Sequence, residues 1–300
     1  MSAIKKKILE IKIEDIISFK TIIDTLSKIV PETSFIIHNP KEKNKFVGLE
    51  INTADPTRTV FIKIQIEKDI FSEFYCKTDK YQLGINLEKL TKTIKFIEND
   101  DILLFALYEN DIQNLVIENQ RANTKGKKTL KLALVEIEYE DKTIKKVDFE
   151  KVISMSPVVY KKIFRELDDY QNIKIKCSNK KIAFTYKDQT SEVNDEYILD
   201  EDGINISNTN TKNDFVGMYP IKFIVMFTKC SALCEEIQIY MKNEYALTIL
   251  YPTISFGKIK LTLSPINEDT IKNVEYDYSD DEDELDVIGN NTNKLYYDDD

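Results

Sequence analysis

Residues 48–66 read GLEINTADPTRTVFIKIQI, and the end of this stretch points to the fold class. Apolar and polar residues alternate from Val60 to Ile66, which is the period of a strand with one buried face. Several further segments have strand composition, and some of them show the same alternation. They are Ile8–Ile13, Ile102–Tyr108, Asn114–Glu118, Ile173–Cys177, Ile237–Met241 and Tyr245–Tyr251. Much of the chain is therefore predicted to form short strands.

Four other segments have apolar residues at helical spacing, which predicts helices with one buried face. The first spans about residues 14–30 and the second residues 87–96. The third begins at Ser156-Pro157, an N-cap residue followed by proline at the first helical position, and the fourth begins at Tyr219-Pro220. Their apolar faces are Phe19, Ile23, Leu26 and Val30; Leu87, Leu90 and Ile94; Tyr160, Ile163 and Leu167; and Ile221, Ile224, Val225 and Thr228.

The order strand, helix, strands, helix, strands occurs twice along the chain. This repetition predicts an α+β fold of two halves, each with two helices packed against antiparallel sheets. The predicted domains are residues 1–135 and residues 150–268, joined by a polar linker of residues 136–149.

The charge of the chain is unevenly distributed. Residues 267–300 contain thirteen acidic residues and two lysines, a net charge of −11, which leaves +1 for residues 1–266 out of the total of −10. Residues 269–300 are predicted to be a disordered acidic tail, because so charged a segment cannot bury a core. The nearly neutral body can still bind a polyanion wherever its positive charges cluster.

The sequence offers little catalytic chemistry. His38 is the only histidine, the seven glycines form no phosphate-binding pattern, and the four cysteines have no metal-ligand spacing. We therefore expect no enzyme activity, no cofactor and no metal site, and we interpret Cys230 and Cys234 as packing residues one helical turn apart. No stretch approaches the roughly 20 apolar residues that cross a bilayer, and Met1–Lys7 has no apolar signal core behind it. Neither a membrane protein nor a secreted one is expected.

The polar faces of the predicted helices are basic. On a wheel of about 100° per residue, the basic residues of the second and third helices lie opposite the apolar faces. The first helix is weaker, because Asp24 lies between Lys20 and Lys28. Three basic faces in duplicated positions favour a polyanion-binding surface, and ordinary solvated faces remain the alternative. The residues are Lys89, Lys92 and Lys95; Lys161, Lys162 and Arg165; and Lys222 and Lys229.

Several short segments together resemble one protein family. Gly48–Arg58 is similar to the segment around the Met-Asp-Pro/Ser-Ser-His loop of the proliferating cell nuclear antigen family, and Phe74–Ile102 is similar to that family's first-domain helix and the following strand. Lys162–Leu167 resembles its Arg-Ile-Cys-Arg-Asp-Leu helix, Phe227–Lys229 matches its Phe-Thr-Lys, and Gly257–Pro265 is similar to its closing strand. Each segment alone is weak, but together they occur in order and near the family's spacing, which makes the resemblance specific.

The resemblance covers about residues 8–268 and implies a two-domain DNA clamp fold. It implies a DNA sliding clamp, a non-enzymatic processivity factor whose homotrimeric ring encircles duplex DNA and tethers replication and repair proteins. Helices would line the hole, where lysine and arginine attract phosphates whatever the base sequence. The implied partners are double-stranded DNA, DNA polymerase, other proteins with clamp-binding peptides, and a clamp loader. By resemblance the DNA-binding residues are Lys20, Lys92, Lys95, Lys162, Arg165, Lys222 and Lys229, and the helical wheels add Lys89 and Lys161.

The resemblance also implies that an edge strand late in the first half pairs with one in the second half of the next subunit. The matching segments, residues 124–132 and 189–197, carry four lysines and three acidic residues respectively. Opposite charge favours this pairing over self-pairing of either edge, although ordinary protected edges remain an alternative. The candidate interface residues are Lys125, Lys127, Lys128 and Lys131, with Glu192, Asp195 and Glu196.

Partner peptides are expected in the family's outer pocket, beneath the linker and beside the C-terminal strand. Ala54 and Arg58 replace the methionine and histidine of the family's loop, so the bound peptides are expected to differ from the usual motif. The matching positions are Ala54, Arg58, Phe61, Ala246, Ser264, Pro265 and Ile266, with Tyr139, Ile144 or Val147 from the linker.

Three alternatives stay open. In the same fold, the chain is a checkpoint-type subunit of a hetero-trimer, or a processivity factor that works as a monomer or dimer. In another class, it is a non-clamp binding module whose acidic tail engages basic proteins. The many lysines, isoleucines and asparagines suggest an AT-rich genome, such as that of a large DNA virus or a protist. The expected location is the nucleus, or a cytoplasmic replication site if the protein is viral.

Overall fold

A computed structural model of the protein describes residues 6–43, 45–121, 126–138, 147–209 and 213–266. Lys125, residues 139–146 of the predicted linker and the predicted acidic tail lie outside the described residues. The first half contains β1 Lys7–Ile13, α1 Ile16–Ser27, β2 Glu32–His38, β3 Gly48–Ala54, β4 Val60–Glu67, β5 Glu73–Cys76, β6 Lys80–Asn86, α2 Leu87–Ile94, β7 Ile102–Tyr108, β8 Asp111–Gln120 and β9 Lys127–Ala133. The second half contains β10 Lys151–Met155, α3 Pro157–Phe164, β11 Asn172–Cys177, β12 Lys181–Lys187, β13 Glu192–Ile198, β14 Ile204–Thr209, β15 Phe215–Pro220, α4 Ile221–Phe227, β16 Ile237–Met241, β17 Leu247–Pro252 and β18 Lys258–Leu263.

The strands pair into three antiparallel sheets. One sheet of the first half has the order β5-β1-β7-β8-β9, and one of the second half has the order β13-β12-β11-β15. A nine-stranded sheet, β14-β10-β16-β17-β18-β4-β3-β2-β6, runs through both halves. It is continuous because β18 pairs with β4, from Lys258 opposite Gln65 to Leu263 opposite Val60. The predicted α+β fold, with two helices in each half, is confirmed.

The helices of the two halves form one layer. Phe19 of α1 is buried, with its ring centroid 5.7 Å from that of Phe105 on β7 and 6.0 Å from that of Phe256 in the second half. α1 contacts both α2 and a 3₁₀ turn, Thr228–Leu233, and this turn also contacts α3 and α4. Side chains on the exposed side of any helix are therefore part of one contiguous surface.

The helix starts follow from their capping residues. The side chain of Asp15 accepts a hydrogen bond of 3.0 Å from the amide of Ser18, so α1 begins at Ile16, later than predicted. α2 and α3 begin where predicted, because the side chains of Asn86 and Ser156 cap them. α1 ends at Ser27 and α2 at Ile94, two to three residues before the predicted ends.

The fourth helix is shorter than predicted and α4 ends at Phe227. The Thr228 hydroxyl donates to the carbonyl of Val225 at 2.6 Å, and the Ser231 hydroxyl donates to that of Thr228 at 2.6 Å. Such side-chain bonds compete with regular helix bonding, and a 3₁₀ turn follows. The placement of Lys229 on the fourth helix is therefore wrong, as is the α-helical spacing of Cys230 and Cys234.

α3 is held in place by a buried tyrosine pair. The hydroxyl oxygens of Tyr160 on α3 and Tyr251 on β17 are 2.6 Å apart, and both side chains are fully buried. On the next turn, Phe164 packs edge-to-face against Phe184 of β12, with ring centroids 5.3 Å apart. α3 is thus fixed between the nine-stranded and the four-stranded sheet.

Candidate nucleic-acid interface and partner surface

α2 buries its apolar side and exposes its basic side, as the helical wheel predicts. The Asn86 cap accepts a hydrogen bond of 3.0 Å from the amide of Lys89, which fixes where the helix begins and so which side faces solvent. Lys92 Nζ lies 2.6 Å from Glu88 Oε1, and this bond holds the pKa of Glu88 below its usual value. The exposed basic residues are Lys89, Lys92 and Lys95, and the buried residues are Leu87, Leu90 and Ile94.

α3 repeats this arrangement in the second half. Lys162 and Arg165 are exposed, whereas Lys161 is half-buried. The Arg165 guanidinium lies 2.7 Å from the carboxylate of Glu166, its neighbour in sequence. The helix therefore offers two lysines and one arginine that already has an acidic neighbour.

Lys20 on α1 has partners within the molecule. Its ammonium donates a hydrogen bond to the carbonyl of Ile97 and lies 3.5 Å from that of Lys95. Both carbonyls follow the end of α2, where a cation also interacts favourably with the helix dipole. Contact of Lys20 with DNA stays a prediction, and the structure gives this side chain the additional role of tying α1 to α2.

Asp24 connects the two halves on the helix layer. Its carboxylate lies 2.8 Å from Lys28 Nζ and 3.5 Å from Lys229 Nζ on the 3₁₀ turn. Burial raises the pKa of Asp24, but the hydrogen bonds and charges of Lys28 and Lys229 outweigh this effect and hold the pKa below its usual value. Asp24 therefore neutralises part of the positive charge that the wheels predict here.

Apart from Lys20, which bonds to backbone carbonyls, five basic residues of the layer have no acidic ion-pair partner in the described part of the chain. Lys222 lies 5.8 Å from the centroid of the neighbouring Phe223 ring, a cation–π distance. Together the five leave the helix layer with uncompensated positive charge. They are Lys89, Lys95, Lys161, Lys162 and Lys222.

The two segments predicted to join subunits both lie at sheet edges. Among the described strands, β9 pairs only with β8, and β13 pairs only with β12. Lys127 forms an exposed ion pair of 3.2 Å with Glu118, and Glu196 forms one of 2.9 Å with Lys181. Each edge therefore leaves one row of backbone groups without a strand partner in the described chain. Lys127, Lys128 and Lys131 lie on β9, and Glu192, Asp195 and Glu196 lie on β13.

Most of the predicted partner positions meet on one face of the nine-stranded sheet. We call this the outer face, and it carries Phe61, Lys63 and Gln65 of β4. Phe61 lies opposite both Ala54 of β3 and Thr262 of β18. The amide of Ser264 donates to the carbonyl of Thr59 at 2.9 Å, and that of Ile266 donates to Met218 at 2.9 Å. The residues brought together are Ala54, Arg58, Phe61, Ser264, Pro265 and Ile266, and Ala246 directly precedes β17.

The described ends of the predicted linker contact opposite parts of this sheet. The carbonyl of Ile137 accepts a hydrogen bond of 2.8 Å from the side-chain amide of Gln82 on β6. Phe149 packs against Tyr240 of β16, with ring centroids 5.3 Å apart. Val147 is half-exposed, and the predicted contributions of Tyr139 and Ile144 lie outside the described residues.

Two family models match nearly all of the folded chain. Residues 8–141 match the N-terminal domain of proliferating cell nuclear antigen, and residues 143–266 match its C-terminal domain. The chain belongs to the proliferating cell nuclear antigen family.

Relatives of this family member include viral and cellular proteins. The chain is 24% identical over 224 residues to a probable DNA polymerase sliding clamp of Paramecium bursaria Chlorella virus 1, covering 73% of this chain and 84% of that protein. It is 22% identical over 261 residues to proliferating cell nuclear antigen 2 of Drosophila melanogaster, covering 86% and 97%. The crystal structure of the Entamoeba histolytica antigen has the same fold, with a TM-score of 0.75 at 21% identity, over 87% of this chain and all of that one.

The cysteines of this family member are packing residues in the structure. Burial raises the pKa of both Cys230 and Cys234 to about 12, so neither thiol ionises near neutral pH. Within the described ranges, no group of three or more His, Cys, Asp or Glu side chains could hold a metal ion. No helix in those ranges is long and apolar enough to cross a membrane.

Asp55, to which the sequence patterns assign no role, organises the loop in which the chain departs from the family pattern. Its carboxylate accepts hydrogen bonds from the amide of Val60 at 2.8 Å and from that of Thr57 at 3.2 Å. These bonds hold a turn in which Arg58 has a φ of 57° and is exposed. The Asp-Pro pair that begins the turn was a usable signal, because aspartate side chains often bond to the backbone two residues on.

Proposed function

We propose that this chain is a DNA sliding clamp that serves as a polymerase processivity factor. Three copies close into a ring around duplex DNA, with the helix layer of each copy facing the hole. The observation that carries the proposal is the contiguous helix layer with five unpaired basic side chains, in a member of this family. Phosphate attraction does not depend on base sequence, so such a surface holds DNA without fixing its position.

The proposed DNA contacts fall into two groups. The unpaired lysines need no rearrangement to meet a phosphate. The second group must give up an acidic neighbour to meet a phosphate, and it consists of Lys92, Arg165 and Lys229. Exposed ion pairs contribute only about 0–1 kcal/mol, so this exchange costs little. Lys20 contributes least directly, since its ammonium already bonds to the end of α2.

Ring closure is proposed to use β9 of one copy and β13 of the next. A cavity of about 590 Å³ lies beside β9, lined in part by Phe96 and Leu130, which are 77% and 36% exposed. Large apolar side chains beside an unpaired strand edge support a contact with a second copy. Val158 at the start of α3 and Ile198 at the end of β13, 77% and 49% exposed, are proposed to meet them from the neighbouring copy.

DNA polymerase, other proteins with clamp-binding peptides and a clamp loader are the proposed partners. Their peptides would bind the outer face around Ala54, Phe61 and Ile266, between the two ends of the linker. The division into residues 1–135, 136–149 and 150–268 is kept as a proposal, supported by the meeting of the two family models between residues 141 and 143. The proposed location is the nucleus or a viral replication site.

The mass of the oligomer in solution and its retention on circular DNA together test the proposal. Light scattering should give three times the 35.0 kDa chain mass. The protein is then incubated at high concentration with nicked circular plasmid, so that rings that open transiently close around the DNA. Protein that co-elutes with the plasmid should be released when a restriction enzyme makes the plasmid linear.

Two results would contradict a ring. A monomeric mass together with equal retention on circular and linear plasmid would favour a monomeric processivity factor. Binding to basic proteins without retention on either DNA would favour a binding module.

A further inference from the structure

Two lysines face each other on the outer face of the nine-stranded sheet. Lys63 of β4 lies directly opposite Lys260 of β18, and Lys258 lies two residues away on β18, on the same face and opposite Gln65. Like charges directly opposite on neighbouring strands destabilise a sheet. The molecule therefore keeps an unfavourable pair of like charges on this face of the sheet.

Only one of the two facing lysines has its charge compensated in the described chain. Lys63 Nζ lies 3.0 Å from the carboxylate of Glu50, which also accepts hydrogen bonds from Gln65 at 2.8 Å and Asn52 at 2.6 Å. Glu50 is only 7% exposed, and its carboxylate already has three donors. Lys260 is half-buried and has no acidic ion-pair partner among the described residues, and burial, together with the charge of Lys63, lowers its pKa.

The lysine pair lies next to the apolar part of the proposed partner surface. Phe61 and Thr262 are the next residues along β4 and β18 on the same face, and they also lie opposite each other. Alternate residues of a strand are about 6.5–7 Å apart. A peptide that packs an aromatic side chain on Phe61 and Ala54 thus lies about one such spacing from the backbone positions of Lys63 and Lys260.

We propose that Lys260, with Lys63, binds an acidic residue that flanks the apolar anchor of client peptides, so that this clamp selects clients with acidic flanks. The inference rests on the proposed partner surface and names the chemistry of its ligands. A carboxylate placed between the two lysines relieves their repulsion and forms charge-assisted hydrogen bonds in a half-buried setting. The last described residue, Ile266, bonds through its amide to the carbonyl of Met218 on β15, so the described chain leaves β18 toward the four-stranded sheet, and a client peptide is the favoured occupant over the chain's own acidic tail.

The test uses the full chain and three synthetic fluorescent peptides. Two peptides share a central pair of phenylalanines and differ only in having Asp-Glu or Lys-Arg flanks, and the third has acidic flanks but alanines at the anchor. Fluorescence anisotropy should show the acid-flanked anchor peptide binding about tenfold more tightly than the basic one, with a preference that shrinks as salt rises. The peptide without an anchor should bind at least tenfold more weakly than the acid-flanked anchor peptide.

Substitutions at Lys260 should remove the preference. Lys260→Gln should abolish it and Lys260→Glu should reverse it, whereas Lys187→Glu, an exposed site on β12, should leave it intact. Lys260→Gln should also raise the melting temperature, because it removes the repulsion from Lys63, and this shows that the variant folds. A fall in melting temperature would contradict the claim that the pair is uncompensated.

The remaining outcomes separate the two proposals. If both anchor peptides bind equally well, or if the preference survives in Lys260→Glu, the lysine inference is wrong and the partner surface stands. If the anchor makes no difference, simple charge attraction explains the binding and the inference is overturned. If no peptide binds, the partner surface fails and the inference fails with it.

Discussion

At the scale of single residues, the buried hydroxyls of Tyr160 and Tyr251 satisfy each other. Burial raises the pKa of both tyrosines, so both stay neutral. Removing one hydroxyl by Tyr160→Phe leaves the other buried without a partner, which should cost about 1–3 kcal/mol. Removing both should cost less than either single change, because no polar group is then stranded. Urea unfolding of the two single variants and the double variant measures this, and a double variant with summed losses would contradict it.

Asp24 is the acid of the helix layer that lies beside lysines of both halves, Lys28 and Lys229. Asp24→Asn frees Lys28 and Lys229, so we expect affinity for duplex DNA to rise about two- to fivefold at low salt. Glu42→Gln, which also removes an exposed acid paired with a lysine, should leave DNA affinity unchanged. The folded-state pKa of Asp24 is depressed, so its small stabilisation, below about 1 kcal/mol, is present above the unfolded pKa and lost as pH falls through the folded one. Unchanged DNA affinity in Asp24→Asn would contradict a DNA-facing layer at this point.

Which residues are buried or exposed on α2 was predictable, because periodicity depends only on neighbours in sequence. The partners of Lys20 and Asp24 were not predictable in this way. Lys20 bonds to a carbonyl 77 residues away, and the Asp24–Lys229 pair spans the two halves. Such contacts depend on how the sheets stack, and a helical wheel carries no information on that. Whether the basic residues touch DNA stays a prediction.

At the scale of elements, α2 is the helix whose charge should matter most. Its exposed side carries two lysines without an acidic partner, Lys89 and Lys95. The acid on this side, Glu88, bonds to Lys92. Lys89→Glu with Lys95→Glu should shorten retention on circular plasmid at least tenfold and reduce its salt dependence. Lys41→Glu with Lys43→Glu serves as the matched control, since it reverses two exposed lysines in the loop between β2 and β3, away from the helix layer. Equal retention of the two proteins at every salt concentration would show that α2 does not face DNA.

The two edge strands allow a charge-swap experiment. Lys127→Glu with Lys128→Glu places acids on β9 opposite the acidic β13 of the proposed neighbour, so the oligomer should dissociate at low protein concentration. Adding Glu192→Lys and Glu196→Lys in the same chain should restore it. Light scattering across a dilution series measures both steps. If the oligomer dissociates when the β9 charges are reversed and reversing the β13 charges does not restore it, β9 pairs with a different strand.

The sequence predicted where strands and helices lie better than where they end. The starts of α2 and α3 were predictable because Asn86 and Ser156 are typical capping residues. The end of α4 depends on hydrogen bonds from the hydroxyls of Thr228 and Ser231 to backbone carbonyls. The spacing of apolar residues does not predict such bonds. That β9 and β13 are edges follows from strand order, and strand order came only from the family resemblance.

At the scale of the whole molecule, the β4–β18 pairing makes the covalent linker unnecessary for holding the halves together. Six residue pairs join these strands, and Phe19 packs on Phe256 across the same boundary. A protease site placed within residues 140–145 and then cut should therefore leave two fragments that elute together in native buffer and separate in urea. Fragments that separate without denaturant would show that the linker carries the association.

The same pairing makes the two halves of the chain one stiff body. In the proposed ring of three copies, applied strain would concentrate where copies meet, at β9, β13 and the cavity beside β9. It would not reach the interior of the nine-stranded sheet until those contacts had parted. Admission of DNA is then expected to open one meeting point between intact copies, while the boundary inside each copy stays closed.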